Sequence, residues 1–409
     1  MKISIIIPTH NRAETLRNAI ESIVPLKDEA SFEFVIVVNN STDHTKSVVD
    51  AYPLIAKYVF EGRTSFTMAR KTGADNASGD ILLYLDDDVL VKPGSFKHIV
   101  DIFSRYPDCG VIAGRIDPKY MEEPPFWTLE CQKSFNGWSL FNSETYSFLS
   151  KSFQEVPSAA GPMMAIRRTA YDLAQGFPPD TVGVETNKGP KSFNKLYIGP
   201  GDYGLCIKVR DAGFKVYFSN DIAVFHVIPP VRFTVEFWRS RMIGEGYHQA
   251  ISQRGFFKLG KLKACIVRLR YEYHFFRLED NLLSQLQNST ACSLFIGMHP
   301  DELWLFYYKA YLDMDFVLRR YPDLWRFLWS LGNNGVADKD YNQVIEKLPN
   351  EYKDLVSSEF VYDTTPINSL FSYENIIQKR GHYPREQTMF FTKKIIIKLL
   401  ISISKILRR

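Results

Sequence analysis

Residues 1–90 alternate short apolar runs with segments of helical period, and this alternation restricts the fold more than any other feature of the chain. Lys2–Ile7, Phe34–Val38, Tyr58–Phe60 and Ile81–Leu85 have the length and bulk of buried strands. Between them, Ala13–Ile23 carries Leu16, Ala19, Ile20 and Ile23 on one helical face. A helix containing Val48 and Val49 follows Thr42 and Asp43, either of which can cap it. Thr67–Ala77 reads as a third helix, stopped near Gly79. Strands alternating with helices predict an α/β fold: a mainly parallel, Rossmann-like sheet flanked by helices, with right-handed crossovers.

Such a sheet gathers the turns after its strands on one edge, where open α/β sheets bind ligands. Three polar stretches fall there: Thr9–Arg12, Asn39–Asp43 and Asp86–Asp88. The last is three adjacent carboxylates at the end of a buried strand. Their mutual repulsion must be offset. A divalent cation such as Mg²⁺, held by one or two carboxylates and substrate phosphates, would do so; a solvated acidic turn is the plainer alternative. Read alone, Asn39–Asp43 is a turn-and-cap sequence.

Beyond Pro93-Gly94 the spacing predicts a helix over Phe96–Phe103 and a short strand near Gly110–Ala113. Residues 117–157 read as an aromatic-rich loop, whose rings either wall a sugar site or pack a core beneath it. Ala159–Arg168 is a small-residue turn running into a strand, and residues 178–200 read as a loop. Leu205, Val209 and Ala212 then share a helical face, so Asp202 stands near a helix start. It is either an N-cap or, among Gly199, Gly201 and Gly204, a side chain facing a ligand. Lys215–Phe218 and Ile222–Phe225 read as two short strands, with His226 directly after them.

In this order the pieces resemble an inverting family 2 glycosyltransferase with the GT-A fold. The resemblance is carried over residues 1–250 by Ser4–Arg12, Val37–Asp43, Ala69-Arg70, Ala77–Asp80, Leu85–Asp88 with Pro93-Gly94, Gly176-Phe177, Gly201–Leu205 with Arg210 and Gly213-Phe214, and His226. It implies a nucleotide-sugar donor, with a UDP-sugar the first choice, and Mn²⁺ or Mg²⁺ as cofactor. It also implies a polysaccharide or lipid-linked glycan acceptor. Residue by residue, it implies that Asp202 is the catalytic base and that Asp86, Asp88 and His226 serve the metal. Pro8, Thr9, His10, Arg12, Asn39, Asp43, Arg70, Asp86 and Asp87 then serve the nucleotide-sugar. The sequence departs from the family pattern at Gly201, where a glutamate is usual, at Gly204 and Asn39, where acidic residues are usual, and at Met163, where asparagine is usual. A non-catalytic nucleotide-sugar-binding or scaffold protein on the same fold is the alternative that Gly201 and Gly204 raise.

Inversion at a sugar carbon needs a base on one side of the ring and charge stabilisation of the leaving diphosphate on the other. One carboxylate plus a metal answers that need, whereas hydrolysis uses two carboxylates flanking the bond.

A net charge of +4 gives no footprint for nucleic acid. Five scattered cysteines without a CxxC speak against a disulfide framework or zinc site and for a reducing compartment. The apolar run at the amino terminus stops at Pro8, too short for a signal peptide. These features divide the chain into a GT-A domain over 1–255 (a nucleotide-sugar half, 1–115, and an acceptor half, 116–230), a mainly helical extension over 256–391, and a tail over 392–409. The tail combines Lys393, Lys394, Lys398, Lys405, Arg408 and Arg409 with a wide apolar face, which predicts an amphipathic helix on an anionic membrane surface, a helix docked on the protein's own aromatic extension being the alternative. The expected location is cytoplasmic, peripheral on the inner face of the cell membrane.

Overall fold

The computed structural model describes residues 1–53, 56–62, 66–134, 151–178, 201–255 and 261–288, with scattered positions between 303 and 319. Strand β1 (Ile3–Thr9) is buried along its whole length, and β2 (Phe32–Asn39) and β4 (Ile81–Leu85) lie on either side of it in parallel register. Strand β3 (Ala56–Glu61) extends this parallel group beyond β2. On the other side, β8 (Met163–Arg167) runs antiparallel to β4 and to β6 (Cys109–Tyr120), and β9 (Lys215–Ile228) returns parallel to β6. Two short strands, β5 (Val89–Val91) and β7 (Phe153–Glu155), pair antiparallel with β9. The nine strands form one sheet in the order β3-β2-β1-β4-β8-β6-β9-β5, with β7 also on β9. This is the mixed, mainly parallel GT-A arrangement that the resemblance implies.

Because side chains alternate across a strand, the central strands β1, β2 and β4 feed two cores. Ile3, Ile5, Ile7, Leu83 and Leu85 pack with α1 (Ala13–Ile23), α2 (Thr45–Asp50) and α4 (Ser95–Arg105) on one face. Ile6, Val35, Val37, Leu82 and Tyr84 pack with α3 (Phe66–Asp75), α6 (Arg168–Leu173) and α7 (Gly201–Asp211) on the other. Consecutive arginines serve both faces. Arg167 donates to the carbonyls of Phe103, Tyr106 and Cys109 at the end of α4. Arg168 donates to those of Ala74, Ala77 and Gly79 at the end of α3. Each guanidinium thus ties the carboxyl end of a helix to the chain that follows it, at the negative end of the helix dipole.

Three expectations change. The expected loop over 117–157 is partly replaced by regular structure: β6 continues through Tyr120, α5 spans Phe126–Ser134 and β7 spans Phe153–Glu155, while residues 135–150 lie outside the described residues. Residues 215–228 form one strand rather than two. Its polar break, Ser219–Asp221, is an irregularity within β9, where the register against β6 jumps from Gly114↔Ser219 to Arg115↔Ala223. Asp43 does not occupy the N-cap of α2, which is His44; it stands one residue earlier and accepts from the Thr45 N–H.

The chain divides into two compact units, with Met1–Thr234 in the first and Val235–Trp325 in the second. The second contains α8 (Val235–Gly255) and α9 (Lys261–Asn288), where Tyr271 meets the edge of Tyr311 at 4.1 Å and packs with Ala250 and Leu312. Among the described residues no helix is long and apolar enough to cross a membrane. All but the first residue of the expected loop over 178–200, most of the helical extension and the whole tail lie outside the described residues.

Candidate active site

Parallel pairing of β1 with β2 and β4 brings the ends of all three strands to one edge. There the three aspartates are met by arginines. Thr9, the last residue of β1, donates its hydroxyl to Asp87 Oδ2 at 2.8 Å, and Arg12 Nη1 donates to Asp87 Oδ1 at 3.0 Å and Asp88 Oδ2 at 2.9 Å. Arg70, on α3, donates Nη2 to Asp86 Oδ1 at 3.2 Å and Nη1 to Asp202 Oδ1. Arg232, in the short 3-10 turn Pro230–Phe233 after β9, reaches Asp88 Oδ2 at 3.4 Å. The carboxylate repulsion anticipated from the sequence is therefore offset by three guanidiniums from three separate elements.

His226 joins this group through register. Its pairing with Val89 sets the end of β9 beside the aspartates, and Nε2 stands 3.4 Å from Asp88 Oδ1 and 3.3 Å from Arg232 Nη1. The three carboxyls then differ electrostatically. Burial pushes Asp86 up despite Arg70, and pushes Asp87 up to about 6 despite Arg12. Burial acts on Asp88 too, but the imidazole of His226, 3.4 Å away, with Arg232 and Arg12, holds it well below the usual carboxylate range. The charge of Asp87 in turn raises the Arg12 guanidinium.

Asp202 opens α7, on the far side of Arg70. The preceding Gly201 has φ +46°, a left-handed conformation in which a glutamate would be strained; this accounts physically for the departure at that position. A second glycine is needed for space. A Cβ on Gly161, just before β8, would collide with Arg70 Nη2 and stand 2.6 Å from Asp202 Oδ2.

The remaining candidates are placed as follows. His10 Nδ1 donates to the Asn39 carbonyl at 2.6 Å, and the Asn39 amide donates to the Glu61 carbonyl at 3.0 Å. Asp43 accepts from the backbone N–H groups of Ala13 and Thr45, so its carboxylate ties the starts of α1 and α2 together. Pro8 is buried in β1 opposite Val37. Reasoning from the sequence did not single out Arg232 or Gly161. The signal for Arg232 was an arginine directly after Pro229-Pro230; that for Gly161 was a glycine in a small-residue turn before a strand.

The donor set can be tested against a divalent metal. Asp88 Oδ1 is buried and accepts no hydrogen bond, and it faces the His226 Nε2 atom. Among the described residues no group of three or more His, Cys, Asp or Glu side chains could by itself hold a metal ion. A carboxylate oxygen without a donor and an adjacent imidazole fit an ion whose other ligands are water and substrate phosphate oxygens, the usual habit of Mg²⁺.

Sequence comparisons cover the part of this region that holds the aspartate cluster, Arg12 and Arg70. The sequence model for "Glycosyl transferase family 2" matches residues 4–173. Glycosyltransferase AglE of Haloferax volcanii is 30% identical over 246 residues, covering 56% of this chain and 67% of that protein. The uncharacterized glycosyltransferase YfnE of Bacillus subtilis is 36% identical over 254 residues, 55% of this chain and 64% of that protein. A glucosyl-dolichyl phosphate glucuronosyltransferase of Haloferax volcanii is 22% identical over 264 residues, 61% of this chain and 77% of that protein.

Proposed function

The chain belongs to glycosyltransferase family 2, and from that membership we propose that it performs metal-dependent, inverting transfer of a sugar from a nucleotide-sugar, a UDP-sugar first among them, to a hydroxyl of a polysaccharide or lipid-linked glycan. The observation that carries the reading is the placement of Asp202 one guanidinium away from the Asp86–Asp88 cluster, with Arg70 between them. A base and a leaving-group site so arranged can serve opposite sides of one sugar ring.

In this reading Asp202 Oδ2, which accepts no hydrogen bond among the described residues, takes the proton of the acceptor hydroxyl. The acceptor oxygen forms its bond to the anomeric carbon as the bond to the diphosphate oxygen breaks. The electron pair leaves with the nucleoside diphosphate, and the configuration inverts. A bound Mn²⁺ or Mg²⁺ would be held by Asp88 and His226 with Asp86 beside them, and would stabilise the leaving diphosphate as a Lewis acid. Arg12 and Arg232 add cations at the same edge to hold phosphate oxygens. Thr9 and Asp87 fix Arg12 in place, while Pro8, His10, Asn39 and Asp43 shape the neighbouring turns toward the nucleoside.

The lipid-linked acceptor draws support from the Haloferax glucuronosyltransferase, whose name gives a dolichyl phosphate substrate. The basic, apolar sequence over 392–409 would then hold the enzyme at the inner face of the cell membrane, where such an acceptor is confined. Deleting residues 392–409 is expected to release the protein from anionic vesicles while sparing donor turnover; equal vesicle binding with and without the segment, at physiological salt, would refute the anchor. The activity itself is tested by a panel of nucleotide-sugars with Mn²⁺ and extracted lipid or polysaccharide acceptors, read by mass spectrometry. Sugar added to an acceptor with inverted configuration is the expected result. Retained configuration, or no turnover of any donor, would overturn the reading.

A further inference from the structure

Resting on the assignment of Asp202 as the base, we infer that Arg70 is a positioning residue for that base, in place of the phosphate or nucleobase contact that the resemblance implies. Arg70 is 1% exposed, and both prongs of its guanidinium are taken by carboxylates, Asp86 on Nη2 and Asp202 on Nη1. Its carbon lies 3.9 Å from the centroid of the Phe66 ring and 5.5 Å from that of Phe177, so aromatic surface holds the group in place. Releasing either carboxylate to meet a phosphate would leave a buried charge partly unpaired, which is costly. Arg70 is thus a fixed element. Arg12, 47% exposed, and Arg232, 16% exposed, present more surface to a ligand than Arg70 does.

The geometry also selects which oxygen reacts. Arg70 ties down Asp202 Oδ1, and Oδ2 lies over Gly161, where only a residue without a Cβ leaves room. The same guanidinium fixes Asp86, so the base and the aspartate cluster are held in one mutual orientation by a single side chain. Small misplacements of a base relative to the reacting centre cost large factors in rate, and Arg70 is the group that sets this distance.

The test uses the full chain with Arg70→Met, Arg70→Lys and Gly161→Ala, alone and combined with Asp202→Asn, and measures kcat, KM for the donor, and UDP binding by calorimetry in the presence of Mn²⁺. Arg70→Met is expected to lower kcat about 10²-fold, a loss at least about tenfold larger than any loss of UDP affinity through Asp86. Arg70→Lys, which keeps the charge, recovers part of that rate. In the Asp202→Asn background Arg70→Met adds little, because its effect runs through the base. Gly161→Ala displaces the pair without removing a charge. It lowers kcat in the same way, and it decides the matter if Arg70→Met does not fold. A UDP affinity weakened tenfold or more with kcat preserved makes Arg70 a donor contact and overturns the inference, as does a loss that simply multiplies with that of Asp202→Asn. If the unsubstituted chain transfers sugar but these variants behave like it, this inference alone fails. If the unsubstituted chain transfers nothing, the functional reading fails with it.

Discussion

Asp202→Asn is expected to lower kcat by about 10²–10⁴-fold while leaving donor affinity nearly unchanged. Asparagine matches aspartate in size and still suits the start of a helix, so α7 loses little. What it cannot do is accept the proton of the acceptor hydroxyl. Arg70 keeps Asp86 as a partner, so the cluster around Asp87 and Asp88 is undisturbed. Steady-state kinetics with saturating acceptor, together with nucleotide titration calorimetry, separates the two effects. A collapse of donor affinity with kcat preserved would reassign Asp202 to binding, and the displacement proposed for this site would be wrong.

The second large effect is expected at Asp88. Its carboxylate is the shared partner of Arg12, Arg232 and His226, and one of its oxygens accepts no hydrogen bond. Asp88→Ala should remove metal-dependent donor binding and depress transfer about 10²-fold or more, as expected when Lewis-acid stabilisation of the leaving group is lost. The fold should survive with some loss of stability, since Arg12 keeps Asp87 as a partner while Arg232 and His226 lose this carboxylate. Circular dichroism and metal-dependent UDP titration check both halves of this expectation. Undiminished transfer by the unsubstituted enzyme in the presence of a chelator would sink the metal assignment, whatever the variant does.

Much of the architecture was legible in the sequence because burial on both faces leaves a plain mark. Ile81–Leu85 is apolar at every position and proves buried at every position, and Leu16, Ala19, Ile20 and Ile23 face the core together as their spacing requires. Where the reading failed, the local signal was of another kind. The second half of β6 carries Arg115, Asp117, Pro118 and Lys119, a polar stretch with a proline that looks like a loop until β9 pairs with it. Ser219–Asp221 has the composition of a turn and is an irregularity inside one strand. The aspartate cluster was visible, but its compensation was not. Arg12, Arg70 and Arg232 are distant in sequence, and only the folded chain brings their charges to one edge. Gly161 stood in a small-residue turn with no sign that it makes room for an ion pair.

The matching of aspartates by arginines bears on how the enzyme would meet its substrate in a salty cell. Among the described residues Asp86, Asp87, Asp88 and Asp202 are set against Arg12, Arg70 and Arg232, four carboxylates against three guanidiniums, so the site is within about one charge of neutral. A nucleoside diphosphate sugar arriving with a divalent cation is electroneutral. Loading the cleft is then an exchange of partners among charges already nearly balanced, and little long-range field exists to draw the donor in. Donor affinity should accordingly change less than about threefold between roughly 0.05 and 0.5 M ionic strength, where an open cationic pocket would lose far more to screening. Occupancy would follow the concentration of the donor pool and stay insensitive to the ionic composition around the enzyme.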